Sequence, residues 1–184
     1  MFFWGAIVAD LEITYTVKRL IPHVFLCCLM VSSGVALSEP HQPIDINITT
    51  HLGDVHDFNQ GDTISFLLSL NRDAYVLVIY ENADGEIIQL MPNEAMQNSF
   101  FKAGLYITIP AHDSAFVFKV QKPYGKETIW AFASSAPMQT FDGKPLHNGL
   151  KLLSGNIAQI ATSLAADQKE FGQTQFNLHT HKLK

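Results

Sequence analysis

The feature that most constrains the fold of this chain is a series of short apolar runs, separated by turn residues, between residues 61 and 135. Runs of this length that are rich in Val, Ile, Tyr and Phe and bounded by Gly, Pro, Asn and Asp are typical of β-strands. Residues 74–80 are continuously apolar and largely β-branched or aromatic, which predicts a central strand covered on both faces.

Further strands are predicted on both sides of this central one. Residues 44–50 alternate strictly between apolar and polar, which indicates a strand with one buried face. The remaining predicted strands are residues 63–70, 86–91, 104–109, 114–120 and 127–133, with 104–109 and 114–120 forming a hairpin. The predicted turns and strand ends lie at Gly61, Asp62, Gly85, Pro92, Gly104, Pro110 and Gly125.

The hydrophobic period changes after residue 156. Apolar residues from Ile157 to Leu164 recur at helical spacing, which predicts a helix over about 156–170 with Asn156 as its cap and Gly172 just past its end. Residues 173–181 return to alternation and predict a last strand. We therefore expect residues 44–184 to form a single all-β domain, a mainly antiparallel sandwich of immunoglobulin-like or jelly-roll-like type, with one C-terminal helix.

The N-terminal region has the composition of an export signal. Lys18 and Arg19 precede an apolar run over residues 20–31, and small residues follow up to Ala36. We expect residues 1–38 to be a short extension plus a secretory signal, cleaved after Ala36 or Ser38, and residues 39–43 to be a linker. The alternative is an N-terminal membrane anchor, although the run is shorter than the roughly 20 residues of a membrane span.

Charge and cysteine usage exclude several classes of function. The formal net charge is −5 and no basic cluster is present, which argues against nucleic-acid binding. Cys27 and Cys28 both lie in the apolar run, so cleavage leaves a chain without disulfides or thiol chemistry. Contact with a membrane is expected only through the signal segment.

Histidines are the side chains most suited to chemistry. His51 and His56 lie in one polar loop, and His179 and His181 are two residues apart on the last predicted strand. Histidines two apart share one face of a strand, as zinc ligands do, but these spacings match no standard zinc pattern. We expect solvated histidines and no cofactor. The alternative is a metal-dependent or hydrolytic enzyme, which clustering of the four around one pocket would favour.

No nucleophile elbow, phosphate-binding loop or dinucleotide fingerprint is present, so we expect no catalytic residues. The candidate binding surface is instead the long connection over residues 92–102, with Asn93, Phe100 and Phe101 as contact residues. At least one of the two phenylalanines is expected to lie in the core. Glycan binding is a further alternative, and it requires strand aromatics that face outward.

A set of spaced residues resembles a known family. It comprises Gly61-Asp62, residues 72–76, Asp84-Gly85, residues 90–93, Ala103-Gly104, Ile109-Pro110, residues 123–127 and residues 131–134. Together they resemble the bacterial family called domain of unknown function 4384, over about residues 58–138. The resemblance implies a β-rich accessory domain of exported or envelope proteins, and it carries over no catalytic residue.

These observations together predict a non-catalytic module that binds another protein of the bacterial cell envelope, located in the periplasm or outside the cell. The prediction depends on three features of the chain, which are the signal-like N-terminus, the strand-rich pattern and the lack of catalytic motifs.

Overall fold

The computed structural model describes residues 43–146 and 148–183. The predicted signal segment and residues 39–42 of the predicted linker lie outside the described residues. Within those that are described, the strands and the helix follow in this order: β1 Ile46–Thr50, β2 Asp57–Asn59, β3 Phe66–Leu70, β4 Ala74–Glu81, β5 Ile87–Met91, β6 Phe100–Phe101, β7 Ile107–Ile109, β8 Lys126–Ser134, β9 Gly143–Pro145, β10 Lys151–Leu153, α1 Ile157–Asp167 and β11 Phe171–His181.

The strands form two sheets. The small sheet has the order β1-β3-β7, and the large sheet has the order β2-β11-β8-β4-β5-β10-β9, with β6 also paired to β4. All pairings are antiparallel except that of β2 with β11. The prediction of a mainly antiparallel all-β sandwich with one helix is confirmed.

Strand β4 lies in the middle of the molecule because its side chains are apolar on both faces. Val76 and Val78 contribute to the main core, together with the buried residues of the small sheet. Leu77 and Ile79 point the other way and join a second apolar cluster with α1. Small sheet, large sheet and helix therefore form three layers, and the large sheet is the middle one.

The helix begins where the sequence predicts. Asn156 has extended backbone angles, and its side chain accepts a hydrogen bond from the Gln159 amide at 3.0 Å. The Gln159 side chain in turn accepts from the Asn156 amide, which completes a capping box. Ile160 and Leu164 are buried against the large sheet. Within residues 43–146 and 148–183, no helix is long and apolar enough to cross a membrane.

The predicted hairpin of residues 104–109 with 114–120 is wrong. Strand β7 pairs with β3, while residues 114–120 form only an isolated bridge, between Lys119 and Thr63. The Phe118 carbonyl accepts from the Ile64 amide at 2.9 Å, and the Phe118 ring packs edge-on against Phe66 at 5.2 Å. Burial of that ring in the main core favours this distant pairing over a local hairpin.

Gly172 also lies elsewhere than predicted. The helix ends at Asp167 with Gln168 as its C-cap, and Gly172 is a buried residue within β11. A Cβ atom at this position would lie 1.8 Å from the carbonyl oxygen of Ile44. Glycine is required here because two backbones approach closely, and not because a helix ends.

Candidate functional site

The two predicted phenylalanine contacts lie on strand β6, which pairs with the start of β4. Phe101 is half-buried and packs against the main core. Phe100 is also half-buried and contacts the Tyr75 ring, with 5.0 Å between centroids, while the Lys102 ammonium lies 5.3 Å from the Phe100 centroid. The alternation of a strand thus sends the two rings to different surroundings.

Asn93 holds the turn after β5. Its side-chain amide donates to the Leu90 carbonyl at 2.8 Å, and its side-chain oxygen accepts from the amides of Ala95 and Met96 at 2.9 and 2.8 Å. Both ends of the side chain are engaged in local hydrogen bonds, as in an Asx turn. Its role in the described structure is to shape the connection that carries Met96 and Phe101.

The other predicted turn residues lie between strands or at strand ends. Gly85 has a φ of 81° in the turn between β4 and β5, and Asp62 accepts from the Asn59 amide at 2.7 Å. Pro92 follows β5 and Pro110 follows β7. Backbone φ is also positive at Gly61, Gly104 and Gly125.

Phe101 is part of a surface cleft that the sequence did not predict. We call it the β7 cleft; it has a volume of about 570 Å³ and is lined by residues that include Met96, Phe101, Leu105, Tyr106, Thr108 and Pro110. Leu105 and Tyr106 keep 64% and 74% of their surface exposed. The sequence pattern placed both inside the predicted strand over residues 104–109. Apolar residues in a strand-like run are usually buried, so the pattern did not predict that these two are exposed.

Strand β7 forms one edge of the small sheet, so among the described residues no strand pairs with the other side of its backbone. The backbone groups of β3 alternate between its two neighbours. The Ser65 carbonyl accepts from the His51 amide, just past β1, at 2.8 Å, whereas the Leu70 carbonyl faces Gly104 on the β7 side. By this alternation, the residues of β3 that bond to β7 are Phe66 and Leu68.

The register then gives the orientation of β7. Phe66 pairs with Ile109 and Leu68 with Ile107, so these are the hydrogen-bonded pairs. Thr108, between them, directs its amide and carbonyl away from β3. Since β7 is the edge strand, these two backbone groups face the side on which no strand of the small sheet lies.

Three of the four predicted histidines lie around one exposed carboxylate. His181 is 3.1 Å from Asp57, and this hydrogen bond holds the pKa of Asp57 below its ordinary value, with weaker contributions from the charges of His179 and His56. His56 donates from Nδ1 to the Asn177 carbonyl at 2.6 Å. In the part of the chain that the structure describes, no three His, Cys, Asp or Glu residues form a possible metal site.

His51 is engaged elsewhere, since its Nδ1 accepts from the Ser65 amide at 3.2 Å, beside the small sheet. It is not among the groups that lower the pKa of Asp57. None of the four histidines lines the β7 cleft. The four therefore do not surround one pocket, which is the arrangement that would favour the enzyme alternative.

The strand aromatics relevant to glycan binding point mostly inward. Phe132 is fully buried and Phe118 nearly so. Trp130 is a half-buried residue of β8 that packs against the second apolar cluster, on the helix side of the large sheet. Its indole donates to Glu81 at 2.9 Å. Among the large apolar residues that the structure describes, the most exposed aromatic one is Tyr106, in the β7 cleft.

A second cavity contains a buried carboxylate that sequence reasoning missed. This Glu127 cavity has a volume of about 330 Å³ and is lined by residues that include Tyr80, Asn82, Glu86, Ile88, Phe118 and Glu127. Glu127 is only 3% exposed. Its carboxylate accepts hydrogen bonds from the hydroxyls of Tyr80 and Thr180, both at 2.7 Å.

Burial sets the protonation behaviour of this group. It raises the pKa of Glu127 above its ordinary value, and the two hydroxyl hydrogen bonds offset part of that effect. Burial also raises the pKa of Tyr80, aided by the neighbouring carboxylate, so the phenol stays protonated. The signal in the sequence was a lone acidic residue in the apolar run of β8, on the same face as Ile129.

Comparison with known proteins adds one finding. No curated protein and no solved structure matches the chain. A family model does match, and the matched part runs from β2 to just beyond β8, so that it includes the β7 cleft and Glu127 but neither α1 nor β11. Residues 57–137 match the family described as domain of unknown function (DUF4384), and the resemblance inferred from the sequence is confirmed.

Proposed function

We propose that this protein is an exported, non-catalytic accessory module that binds another protein of the cell envelope. We further propose that an extended segment of that partner pairs with the free edge of β7. The observation that carries the proposal is the outward-facing backbone of Thr108 beside an apolar cleft. The signal-like pattern of residues 18–36 supports export.

The chemistry of the cleft favours a strand with apolar side chains. Pairing at a sheet edge supplies main-chain hydrogen bonds, and pockets beside the edge accept alternate side chains of the added strand. Leu105 and Tyr106 are exposed at this edge, and a partner would remove their apolar surface from water. The partner is therefore an extended polypeptide with apolar residues at alternate positions.

The length of β7 limits how much the backbone contributes. The strand has three residues, and only Thr108 directs both backbone groups outward. Two main-chain hydrogen bonds contribute roughly 1–3 kcal/mol together. Most of the affinity must then come from apolar contacts in the β7 cleft, so variants of the cleft and of the edge should each weaken binding.

The test places a photoreactive phenylalanine analogue at Tyr106 of the full chain, in the cells that produce it. Illumination should crosslink the protein to a different envelope protein, and the crosslinked peptide of the partner should be extended and apolar. The same analogue at Thr162, an exposed position on α1, is the control and should give no such product.

Two substitutions at one position separate edge pairing from simple proximity. Thr108→Pro removes the outward amide but leaves the bonds of Ile107 and Ile109 to β3, whereas Thr108→Ala keeps the amide. The crosslink should fall by about tenfold in the first variant and persist in the second. Equal crosslinking in both variants, or crosslinks only between copies of this chain, would contradict the proposal.

A further inference from the structure

In the part of the chain that the structure describes, the buried carboxylate of the Glu127 cavity lies beside neutral hydrogen-bond donors. Carboxylates as deeply buried as Glu127 are normally paired with a cation. Here the two hydrogen-bond donors are the neutral hydroxyls of Tyr80 and Thr180. Over residues 43–146 and 148–183, no Lys, Arg or His forms an ion pair with Glu127.

Two of the polar side chains that line the cavity with Glu127, those of Tyr80 and Glu86, present acceptor oxygens. Tyr80 uses its proton on Glu127, so its oxygen can only accept a further hydrogen bond. Glu86 also lines the cavity and accepts from the Asn82 side chain at 2.9 Å. Asn82 in turn accepts from the amides of Asp84 and Glu86, so its oxygen is already engaged.

The remaining walls are apolar. Ile88, Leu90 and Phe118 line the cavity, and the Phe118 ring packs edge-on against Tyr80 at 4.9 Å. Two lysines, Lys119 and Lys122, also contribute to the lining, but both are exposed. The site therefore combines apolar walls with a buried anionic acceptor, which is the setting that a positively charged hydrogen-bond donor complements.

We propose that the Glu127 cavity binds a ligand with an ammonium or guanidinium group on a short apolar stem, and that the cationic nitrogen donates to the Glu127 carboxylate. The volume of about 330 Å³ is at the small end of ligand sites, so the bound portion is a small amine or a single side chain. Such a group comes either from a free amine or from a lysine or arginine of a peptide. This site is separate from the β7 cleft and does not depend on it.

The probes are n-butylammonium, its neutral analogue n-butanol, and a short peptide with one lysine. Each is titrated into the protein, and binding is followed by the NMR signals of Tyr80 and Phe118. The cation should bind at least about tenfold more tightly than the alcohol. Tighter binding of the peptide than of the free amine assigns the natural source to a protein side chain, and the reverse assigns it to a small amine. Either result supports the site.

Glu127→Gln is the main variant, because its amide oxygen still accepts a hydroxyl hydrogen bond while the charge is lost. It should lose the preference for the cation, with affinity falling by about tenfold or more, whereas Asp113→Asn, the same charge change in an exposed loop, should not. Thr108→Pro should also leave this binding intact, so failure here is distinguishable from failure of the proposed function. Equal binding of cation and alcohol to the unaltered protein would overturn the proposal.

A pH titration of the unaltered protein keeps the proposal testable if the Gln variant does not fold. Cation binding should weaken as the pH falls and Glu127 takes up a proton, while binding of n-butanol should not change. The other ionisable groups that line the cavity are Tyr80, Glu86, Lys119 and Lys122. Burial raises the pKa of Tyr80, so its phenol stays protonated at acid pH. A cation affinity that is constant through the protonation of Glu127 would overturn the proposal.

Discussion

Glu127 is a buried acidic residue whose carboxylate lies among apolar groups. Burial raises its pKa above the ordinary value of 4.5, so the folded chain holds the proton more tightly than the unfolded chain does. The free energy of unfolding should therefore fall as the pH rises from the unfolded pKa through the folded one. Urea unfolding at a series of pH values from about 4 to 8 measures this slope.

The variant Glu127→Gln cannot ionise, so this contribution to the slope should disappear. Relative to the unaltered protein, it should become more stable as the pH rises. Asp57 provides a control of opposite sign, since its lowered pKa gives stability that is lost as the pH falls, and Asp57→Asn should remove only that small effect. If the Gln variant has the same pH profile as the unaltered protein, the carboxylate is not the source of the slope.

At the scale of single elements, α1 is the informative case. It has 11 residues, which is too short to be stable alone in water, so its stability comes from packing on the large sheet. Leu164 is 0% exposed within that contact. Leu164→Ala should reduce the free energy of unfolding by about 2–5 kcal/mol, as measured by urea unfolding.

Two further variants of α1 show where that loss comes from. Asn156→Ala removes the cap and should cost only about 1 kcal/mol. Thr162→Ala, on the exposed side of the helix, should cause no loss and should raise stability by about 0.5 kcal/mol at most, because alanine has the higher helix propensity. A loss in Leu164→Ala no larger than that of the cap variant would mean that the helix contributes little to covering the sheet.

At the scale of the whole molecule, the three layers make the middle of the large sheet the most protected region. Strand β4 is paired with β8 on one side and with β5 and β6 on the other, and its residues contribute to both apolar clusters. Backbone amides in β4 and β8 should exchange with deuterium most slowly, and those in β2 and β9, at the ends of the sheet, should exchange fastest. Hydrogen exchange followed by mass spectrometry tests this order, and faster exchange in β4 than in β9 would contradict it.

Local patterns in the sequence predicted several elements correctly. The continuous apolar run of residues 74–80 corresponds to β4, and helical spacing after Asn156 corresponds to α1. Both succeeded because periodicity reports which faces of an element are buried. The partner of residues 114–120 could not be predicted in this way, because many apolar segments are compatible with the same strand pattern.

In the candidate sites too, the sequence pattern predicted some residues and missed those that depend on distant contacts. The sequence drew attention to Phe101 as a candidate contact residue of a long connection, but not to Leu105 and Tyr106, whose exposure depends on β7 being an edge. Glu127 belongs to the apolar pattern of β8 and shows its chemistry only beside Tyr80, which is 47 residues away in the chain. Such contacts across distant segments leave no periodic signal.

The sequence by itself determined the class of fold, the position of the helix and the family resemblance, because each depends on turn residues and hydrophobic period within a short window. Tertiary structure alone decided which strand forms the edge of the small sheet, which glycine lies against a neighbouring backbone, and which carboxylate is buried beside a cavity. The physical reason is that these properties depend on which distant segments pack together, and packing is selected by the total burial of apolar surface in the whole chain.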